Sequence, residues 1–169
     1  MMRYIPTNEY LSCSSDPTFC LGLFEGTISG NYWAAKYKND YAEVYFNQSY
    51  ALTSYTLYAQ SVYPNVNAKG VLVQGILRDS TMLEIDRITS STLTNSDAKQ
   101  RRIINYNKPL FGVRFTVCDT WAQHSSFYSG ILRIDIIIES SLCKIVQTCN
   151  HRTTVYKNWL LTFIAIVNY

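Results

Sequence analysis

The sequence predicts a single α+β domain in which one or two helices pack on a mainly antiparallel sheet. Three observations lead to this fold class. The chain has 169 residues, a length typical of one domain. Several runs are rich in tyrosine and β-branched residues, which suit the pleated surface of a sheet. One segment instead repeats its apolar residues at the spacing of a helix.

The first 23 residues are predicted to form an extended N-terminal arm, followed by the α+β domain over residues 24–169. Pro6 and Pro17 interrupt the segment, and its apolar residues follow neither the helix nor the strand period. Large apolar side chains in such a segment commonly mark a contact surface. We therefore expect the arm to mediate self-assembly with a neighbouring subunit, through Tyr4, Tyr10, Phe19 and Leu21.

Two runs rich in tyrosine, Tyr41 to Phe46 and Tyr50 to Val62, are predicted to be strands. Pro64 marks a turn, after which a helix is predicted over residues 68–78 because apolar residues recur at helical spacing. The apolar stripe of this helix consists of Ala68, Val71, Leu72, Gly75 and Ile76. The next segment, Met82 to Ile88, is too short for its period to distinguish helix from strand.

The rest of the chain is predicted to complete the sheet. A polar loop from Ser90 to Lys99 precedes a strand from Leu110 to Cys118. The run Ile131 to Ile138 is predicted to be a core strand, because one of its faces is wholly aliphatic. That face consists of Leu132, Ile134, Ile136 and Ile138. Further strands are predicted at Leu142–Thr148 and Leu160–Val167, and the period of the last run also fits a helix.

The five cysteines are predicted to be free thiols. Their number is odd, and no two of them form a C-x-x-C pair. The first residues lack the basic and apolar regions of a secretory signal, so we expect an intracellular chain whose cysteines stay reduced. A zinc site on Cys143, Cys149 and His151 is not expected, because the spacing is unsuitable and a fourth ligand is missing.

The sequence contains little that is typical of catalysis. It has two histidines and no glycine-rich phosphate loop, since Gly22, Gly26 and Gly30 are not followed by Lys-Ser or Lys-Thr. The sequence therefore predicts a protein that is not an enzyme and that needs neither a cofactor nor a metal.

Charge is distributed unevenly along the chain. Residues 1–93 carry six Lys/Arg against eight Asp/Glu, whereas residues 94–169 carry nine against four. A positive region attracts anionic partners through its long-range field, although many charged loops are only solvated. The candidate anion-binding residues are Lys99, Arg101, Arg102, Lys108 and Arg114. The sequence does not decide between RNA, lipid head groups and an acidic protein as the partner.

The segment Gly30-Asn31-Tyr32-Trp33 resembles the Gly-x-Trp motif that opens lipocalin barrels. That resemblance implies a barrel whose inward side chains line a cavity for a small apolar ligand. A ligand carrier of this kind is the alternative to the leading hypothesis.

The order of features over residues 41–140 resembles that of rhabdovirus matrix proteins, in particular the short members from plant viruses. Glu43-Val44-Tyr45-Phe46 opens the strand region, and the predicted helix and Met82 to Ile88 follow. The run Phe127 to Ile138 is similar to that family's aromatic-x-Gly-aliphatic strand. The resemblance implies a virion structural protein, present also in the host cytoplasm, that self-associates into a helical array. Such a protein bridges the nucleocapsid protein–RNA complex to the envelope, with an anionic membrane surface as a further partner.

Overall fold

The structure, a computed structural model, describes residues 1–25, 33–59, 66–121, 129–131 and 133–140. Within these ranges the chain forms one short α-helix, α1 (Cys20–Glu25), and 3-10 turns at Asn8–Tyr10 and Pro17–Phe19. The strands are β1 (Met2–Tyr4), β2 (Leu11–Cys13), β3 (Trp33–Ala35), β4 (Tyr41–Tyr58), β5 (Ala68–Ile76), β6 (Met82–Ile88), β7 (Lys99–Ile103), β8 (Leu110–Thr120), β9 (Ser129–Ile131) and β10 (Arg133–Ser140).

Strand β4 bends so that its two halves lie in opposite layers of a sandwich. Ala42, in the first half, pairs with Phe115 of β8. Tyr55 lies 13 residues further on, which is about 43 Å along a straight strand. The rings of Tyr55 and Phe115 nevertheless pack edge to face, with centroids 5.3 Å apart. The bend coincides with the irregular register between Tyr45 and Tyr50.

The two layers share β4 through this bend. The first, named the β8 layer, has the strand order β2–β4–β8–β5–β6. The second, named the β10 layer, has the order β1–β10–β4–β7. All of these pairings are antiparallel. A separate pair, β3 with β9, is joined to the start of β5 by a parallel bridge between Asn67 and Gly130.

The hydrophobic core fills the space between the layers, and a polar group closes one of its sides. Asp86 of β6 accepts a hydrogen bond from the Tyr55 hydroxyl at 2.8 Å. It also pairs with the Arg102 guanidinium of β7 at 2.7 Å. The bond from Arg102 lowers the pKa of Asp86, and burial raises the pKa of the Tyr55 hydroxyl. These contacts join the edge strands of the two layers.

The predicted helix over residues 68–78 is wrong, because Ala68–Ile76 forms β5 between β8 and β6. The pairing with β8 is irregular on both sides of Gly70, which is typical of a β-bulge. Ala68, Val71 and Val73 are all fully buried. A bulge shifts the alternation of a strand by one residue, and this shift produced a spacing that imitates a helix.

The predicted separate arm over residues 1–23 is also corrected. β1 pairs with β10 and β2 pairs with β4, so this segment supplies an edge strand to each layer. α1 continues the segment and buries Leu23 and Phe24 almost completely between the layers. Strands of three residues are too short to show a period in the sequence.

Two of the five predicted free thiols are not free. Cys13 and Cys20 form a disulfide with their Cα atoms 6.0 Å apart. This bond ties the end of β2 to the start of α1. Cys118 is a free, half-buried cysteine, and Cys143 and Cys149 lie outside the described residues.

Several other strand predictions are confirmed. Tyr41 to Phe46 lies within β4, and Leu110 to Cys118 lies within β8. The segment Met82–Ile88, for which the sequence left helix and strand open, is strand β6. The aliphatic face of β10 is buried, as Ile134, Ile136 and Ile138 show with exposures of 1%, 1% and 0%. The runs Leu142–Thr148 and Leu160–Val167 and the side chain of Leu132 lie outside what the structure describes.

The fold is therefore a single, mostly antiparallel domain with one short helix in its described part. It is mainly β, so the α+β class is correct only in this coarser form. No helix of the described ranges is long and apolar enough to cross a membrane.

Candidate functional site

Connections between strands gather at one end of the sandwich, named the loop end. β4 finishes there beside the start of β7, with Tyr58 opposite Lys99. β8 finishes there beside the start of β5, with Thr120 opposite Ala68. The described parts of these connections are residues 36–40, 59, 66–67, 89–98 and 121.

An indole cluster, made of Trp121, Lys69, Asp119 and Ser91, lies at the loop end. Trp121 directly follows β8, and its backbone N–H donates to the carbonyl of Asn67 at 3.0 Å. Its indole Nε1–H donates to the Ser91 hydroxyl at 3.2 Å. The Lys69 ammonium lies 5.3 Å from the centroid of the indole ring and 3.2 Å from the Asp119 carboxylate.

The backbone around this cluster is closely packed. Gly70 pairs with Asp119, and a Cβ at Gly70 would lie 2.9 Å from the Asp119 Cβ, closer than real Cβ atoms approach. A glycine is therefore needed for β5 and β8 to meet at this point. Ser91 is buried and donates from its hydroxyl to the carbonyl of Ala68 at 2.5 Å. These contacts fix the indole relative to β5 and to the connection that follows β6.

The indole cluster is equipped to bind a ligand that carries many hydroxyl groups. The Asp119 side chain is 52% exposed and the Lys69 side chain is 36% exposed. A carboxylate accepts hydrogen bonds and an ammonium donates them, so the pair can meet hydroxyl groups in either role. The half-buried indole of Trp121 offers an apolar surface for C–H groups. An aromatic wall with a few fixed polar groups is typical of small-ligand sites.

Tyr37 is a second aromatic side chain in the connections, 72% exposed in the turn before β4. The Asp40 carboxylate holds this turn by accepting the backbone N–H groups of Lys36 and Tyr37, each at 2.9 Å. The Ser14 hydroxyl donates to the same carboxylate at 2.9 Å. Burial raises the pKa of Asp40, but these hydrogen bonds outweigh it and hold the pKa below its ordinary value of 3.8.

Two other features do not match this chemistry. A groove of about 500 Å³ lies beside the disulfide, and its lining contains no charged or aromatic residue. That lining consists of Leu11, Ser12, Cys13, Pro17, Thr18 and Cys20. Within the described ranges, no group of three or more His, Cys, Asp or Glu side chains could hold a metal ion. The residues considered for zinc, Cys143, Cys149 and His151, lie outside those ranges.

No protein-family model and no curated protein matches the chain, whereas many solved structures do. The CBM32 domain of AlyQ, in complex with 4,5-unsaturated mannuronic acid, matches with a TM-score of 0.63 at 14% identity, over 81% of this chain and 98% of that one. CBM32-3 from a family 31 glycoside hydrolase of Clostridium perfringens matches with a TM-score of 0.64 at 12% identity, over 81% and 95%. CpGH89CBM32-5 from Clostridium perfringens, in complex with GalNAc-β-1,3-galactose, matches with a TM-score of 0.62 at 10% identity, over 80% and 99%. This chain has the fold of CBM32 domains.

The CBM32 fold overturns both resemblances drawn from the sequence. It is a jelly roll, so the resemblance to rhabdovirus matrix proteins is wrong. The virion function and the helical array that it implied fall with it, as do the nucleocapsid and membrane partners. The lipocalin resemblance is not supported either, since the matching structures are two-layer jelly rolls and a hydrophobic core fills the space between the layers of this chain. The features that suggested a matrix protein were generic to small domains rich in strands.

The four predicted self-assembly residues have different environments. Tyr4 packs edge to face on Phe46, with ring centroids 4.9 Å apart, and borders the core. Tyr10 and Leu21 are half-buried, and Phe19 is 36% exposed. None of these positions by itself identifies an interface.

The predicted anion-binding residues divide into two groups. Arg102 and Arg114 are paired, with Asp86 and Glu43 respectively. Lys99, Arg101 and Lys108 are exposed. No described residue forms an ion pair with these three.

The sequence interpretation missed every member of the indole cluster. The available signal was the position of Trp121, an aromatic residue three places beyond the predicted end of a strand at Cys118. Binding residues are disproportionately found on such connections. Its neighbours Lys69 and Ser91 are distant in sequence, and the wrong helix over residues 68–78 concealed their proximity.

Proposed function

We propose that this chain is a carbohydrate-binding module that binds a sugar at the loop end, against the indole of Trp121. The observation that carries the proposal is the indole cluster itself, at the end of a fold shared with CBM32 domains. Two of those domains were solved with sugars bound, one with an unsaturated mannuronic acid and one with GalNAc-β-1,3-galactose.

Sugar rings suit the chemistry of this cluster. Their C–H faces pack on aromatic rings, and their hydroxyl groups both donate and accept hydrogen bonds. Asp119 and Lys69 supply an acceptor and a donor beside the indole. Because Ser91 already holds the indole nitrogen, the ring is fixed before a ligand arrives, which limits the entropy lost on binding.

The proposed role is binding without catalysis. The described cluster contains one carboxylate, whereas hydrolysis of a glycosidic bond ordinarily uses a pair of them. The sugar is therefore expected to leave unchanged, and incubation of the protein with a bound glycan should give no cleaved product by mass spectrometry.

The proposal is tested by measuring binding of the full chain to a glycan array, followed by titration of the best glycans. Trp121→Ala should weaken binding about 30-fold, because a central tryptophan commonly contributes about 2 kcal/mol or more. Tyr45→Ala is the matched control, since Tyr45 is an exposed aromatic residue at the bend of β4, away from the loop end. The proposal fails if no glycan binds, or if both variants lose affinity equally.

A further inference from the structure

The outer face of the β10 layer carries an excess of positive charge. Ile134, Ile136 and Ile138 point into the core, so the alternating residues Arg133 and Asp135 point outward. Their partners across β4 continue the same face onto β7. One row is Arg133, Tyr58 and Lys99, and the next is Asp135, Thr56 and Arg101.

The cations of this face differ in whether they are neutralised. Asp135 is shared by Arg3 at 2.8 Å and Arg133 at 3.2 Å. Arg133 also lies over Tyr58, with its guanidinium carbon 3.8 Å from the ring centroid. Lys99 and Arg101 are exposed and take part in none of the ion pairs formed among the described residues. They lie two residues apart on β7, about 7 Å along the strand.

The connection that holds the indole also contacts β7. Ser91, which holds the Trp121 indole, is followed in the chain by Thr92. The backbone N–H of Thr92 donates to Gln100 Oε1 of β7 at 3.1 Å. Gln100 lies between Lys99 and Arg101. This contact places the start of β7 at the loop end. Because side chains alternate along a strand, Lys99 and Arg101 point to the side of β7 opposite to Gln100, which is the outer face.

We propose that the outer face of β7 binds an acidic polysaccharide, one that carries uronate or sulfate groups along its length. The proposal names the substrate class of the carbohydrate-binding function and rests on it. Charge complementarity selects an anionic chain, and the proposed carbohydrate-binding function selects a glycan over other polyanions. The Tyr58–Arg133 pair supplies a flat surface beside the two free cations.

Charged residues on an edge strand also discourage pairing with another chain. That role requires charge on β7 but no affinity for a polyanion. The two explanations therefore differ in a measurable way.

The test compares two double variants of the full chain that remove the same charge. Lys99→Gln with Arg101→Gln removes the free cations of β7. Lys38→Gln with Lys108→Gln is the control, since both residues are exposed and lie in loops. The probes are polygalacturonate and heparin, with dextran as the neutral glycan, and affinity is measured by biolayer interferometry at several salt concentrations.

The β7 variant should bind the acidic probes about 30-fold more weakly, since each cation near an anionic surface contributes roughly a fivefold gain in affinity. Its affinity should also depend less on salt, because fewer counterions are released. The control should stay within about threefold of the parent. Both variants should unfold at the parent's midpoint, which shows that folding is not the cause.

Equal weakening in the two variants, or no binding to either acidic probe, would overturn the proposal. Tighter binding to single-stranded DNA or to phosphatidylserine vesicles than to both acidic glycans would overturn the choice of occupant. Trp121→Ala separates this inference from the function on which it rests. If polygalacturonate binding depends on Lys99 and Arg101 but the binding of no glycan depends on Trp121, the proposed loop-end site is wrong and the proposed binding site on β7 is supported.

Discussion

The outer faces of the two layers differ in the cations that have no ion-pair partner among the described residues. On the β8 layer, Arg114 is paired with Glu43, and the pair joins neighbouring strands at directly opposite positions. Arg87 on the same layer is paired with Glu84 at 2.6 Å. On the β10 layer, Lys99 and Arg101 are exposed and have no such partner among the described residues. On the β8 layer the Arg114–Glu43 pair joins neighbouring strands, whereas on the β10 layer Arg3 and Arg133 are paired with Asp135 and the charges of Lys99 and Arg101 are not used in this way.

The Glu43 carboxylate is buried by the groups that pair with it. The residue is 3% exposed although it lies on an outward face. Its carboxylate accepts hydrogen bonds from the Arg114 guanidinium and from the Tyr45 hydroxyl, the latter at 3.1 Å. The Arg114 guanidinium also covers the Tyr41 ring, at 3.9 Å from the centroid. Burial raises the pKa of Tyr45, and the negative charge of Glu43 adds to the effect.

The largest expected effect breaks this pair. Glu43→Gln leaves the Arg114 charge in a largely buried position without its carboxylate, so the free energy of unfolding should fall by about 3 kcal/mol. Urea denaturation followed by circular dichroism measures the loss. Glu84→Gln is the control on the same face, because that pair is exposed and should contribute little. Similar losses of stability in both variants would contradict the distinction between the buried Glu43–Arg114 pair and the exposed Glu84–Arg87 pair.

The disulfide should rank second, because it links the two layers indirectly. Cys13 ends β2 of the β8 layer, and Cys20 begins α1, which contacts β10. Replacing both with serine should cost about 2.5 kcal/mol, the value expected for a short closed loop. A reductant should lower the stability of the parent and leave the variant unchanged.

Thiol titration of the denatured, unreduced protein checks the same bond. Cys13 and Cys20 should not react, whereas full reaction of all five cysteines would exclude the disulfide. Disulfides persist in oxidising compartments, so the intracellular location predicted from the sequence remains a prediction that this experiment addresses.

Asp40 should have a smaller effect, and one that depends on pH. Because its folded pKa is lowered, it stabilises the protein above its unfolded value of 3.8, and the contribution is lost as the pH falls through the folded pKa. Asp40→Asn should cost about 1–2 kcal/mol at pH 7. The difference between parent and variant should shrink below pH 3.8, and a difference that grows on acidification would contradict the assignment.

The smallest effect should come from the free cations of the β10 layer. Lys99→Gln with Arg101→Gln should change the free energy of unfolding by less than about 0.5 kcal/mol, since neither side chain forms an ion pair with a described residue. Denaturant melts of this variant beside Glu43→Gln test the comparison directly. A loss of about 2 kcal/mol or more in the free energy of unfolding would mean that these charges stabilise the fold.

The sequence predicted some of these elements well because their pattern is local. The aliphatic face of β10 alternates without interruption, and Ile134, Ile136 and Ile138 are buried as that alternation requires. The prediction for β5 failed because a bulge at Gly70 changes the spacing of its buried residues. The sequence did not predict β1 and β2, because these strands are stabilised by pairing with strands distant in sequence.

The candidate site was less accessible from sequence for a related reason. Lys69, Ser91 and Trp121 meet only when the start of β5, the connection after β6 and the end of β8 reach the same end of the sandwich. Lys99 and Arg101 were recognised as basic residues, but their separation from the paired Arg102 and Arg114 depends on which side of a strand faces the core. Neither fact is visible before the strand register is known.

The pairing of β1 with β10 has a consequence for synthesis. Met2 lies opposite Ile138, so the chain must close a loop of more than 130 residues before this edge of the sheet exists. During synthesis on the ribosome, β1 remains without its partner strand until β10 has emerged. Its apolar and backbone groups remain accessible to chaperones in that interval. Pairings of such long sequence separation are typical of slow folding. The step that completes the β10 layer is therefore expected late, after most of the β8 layer has formed.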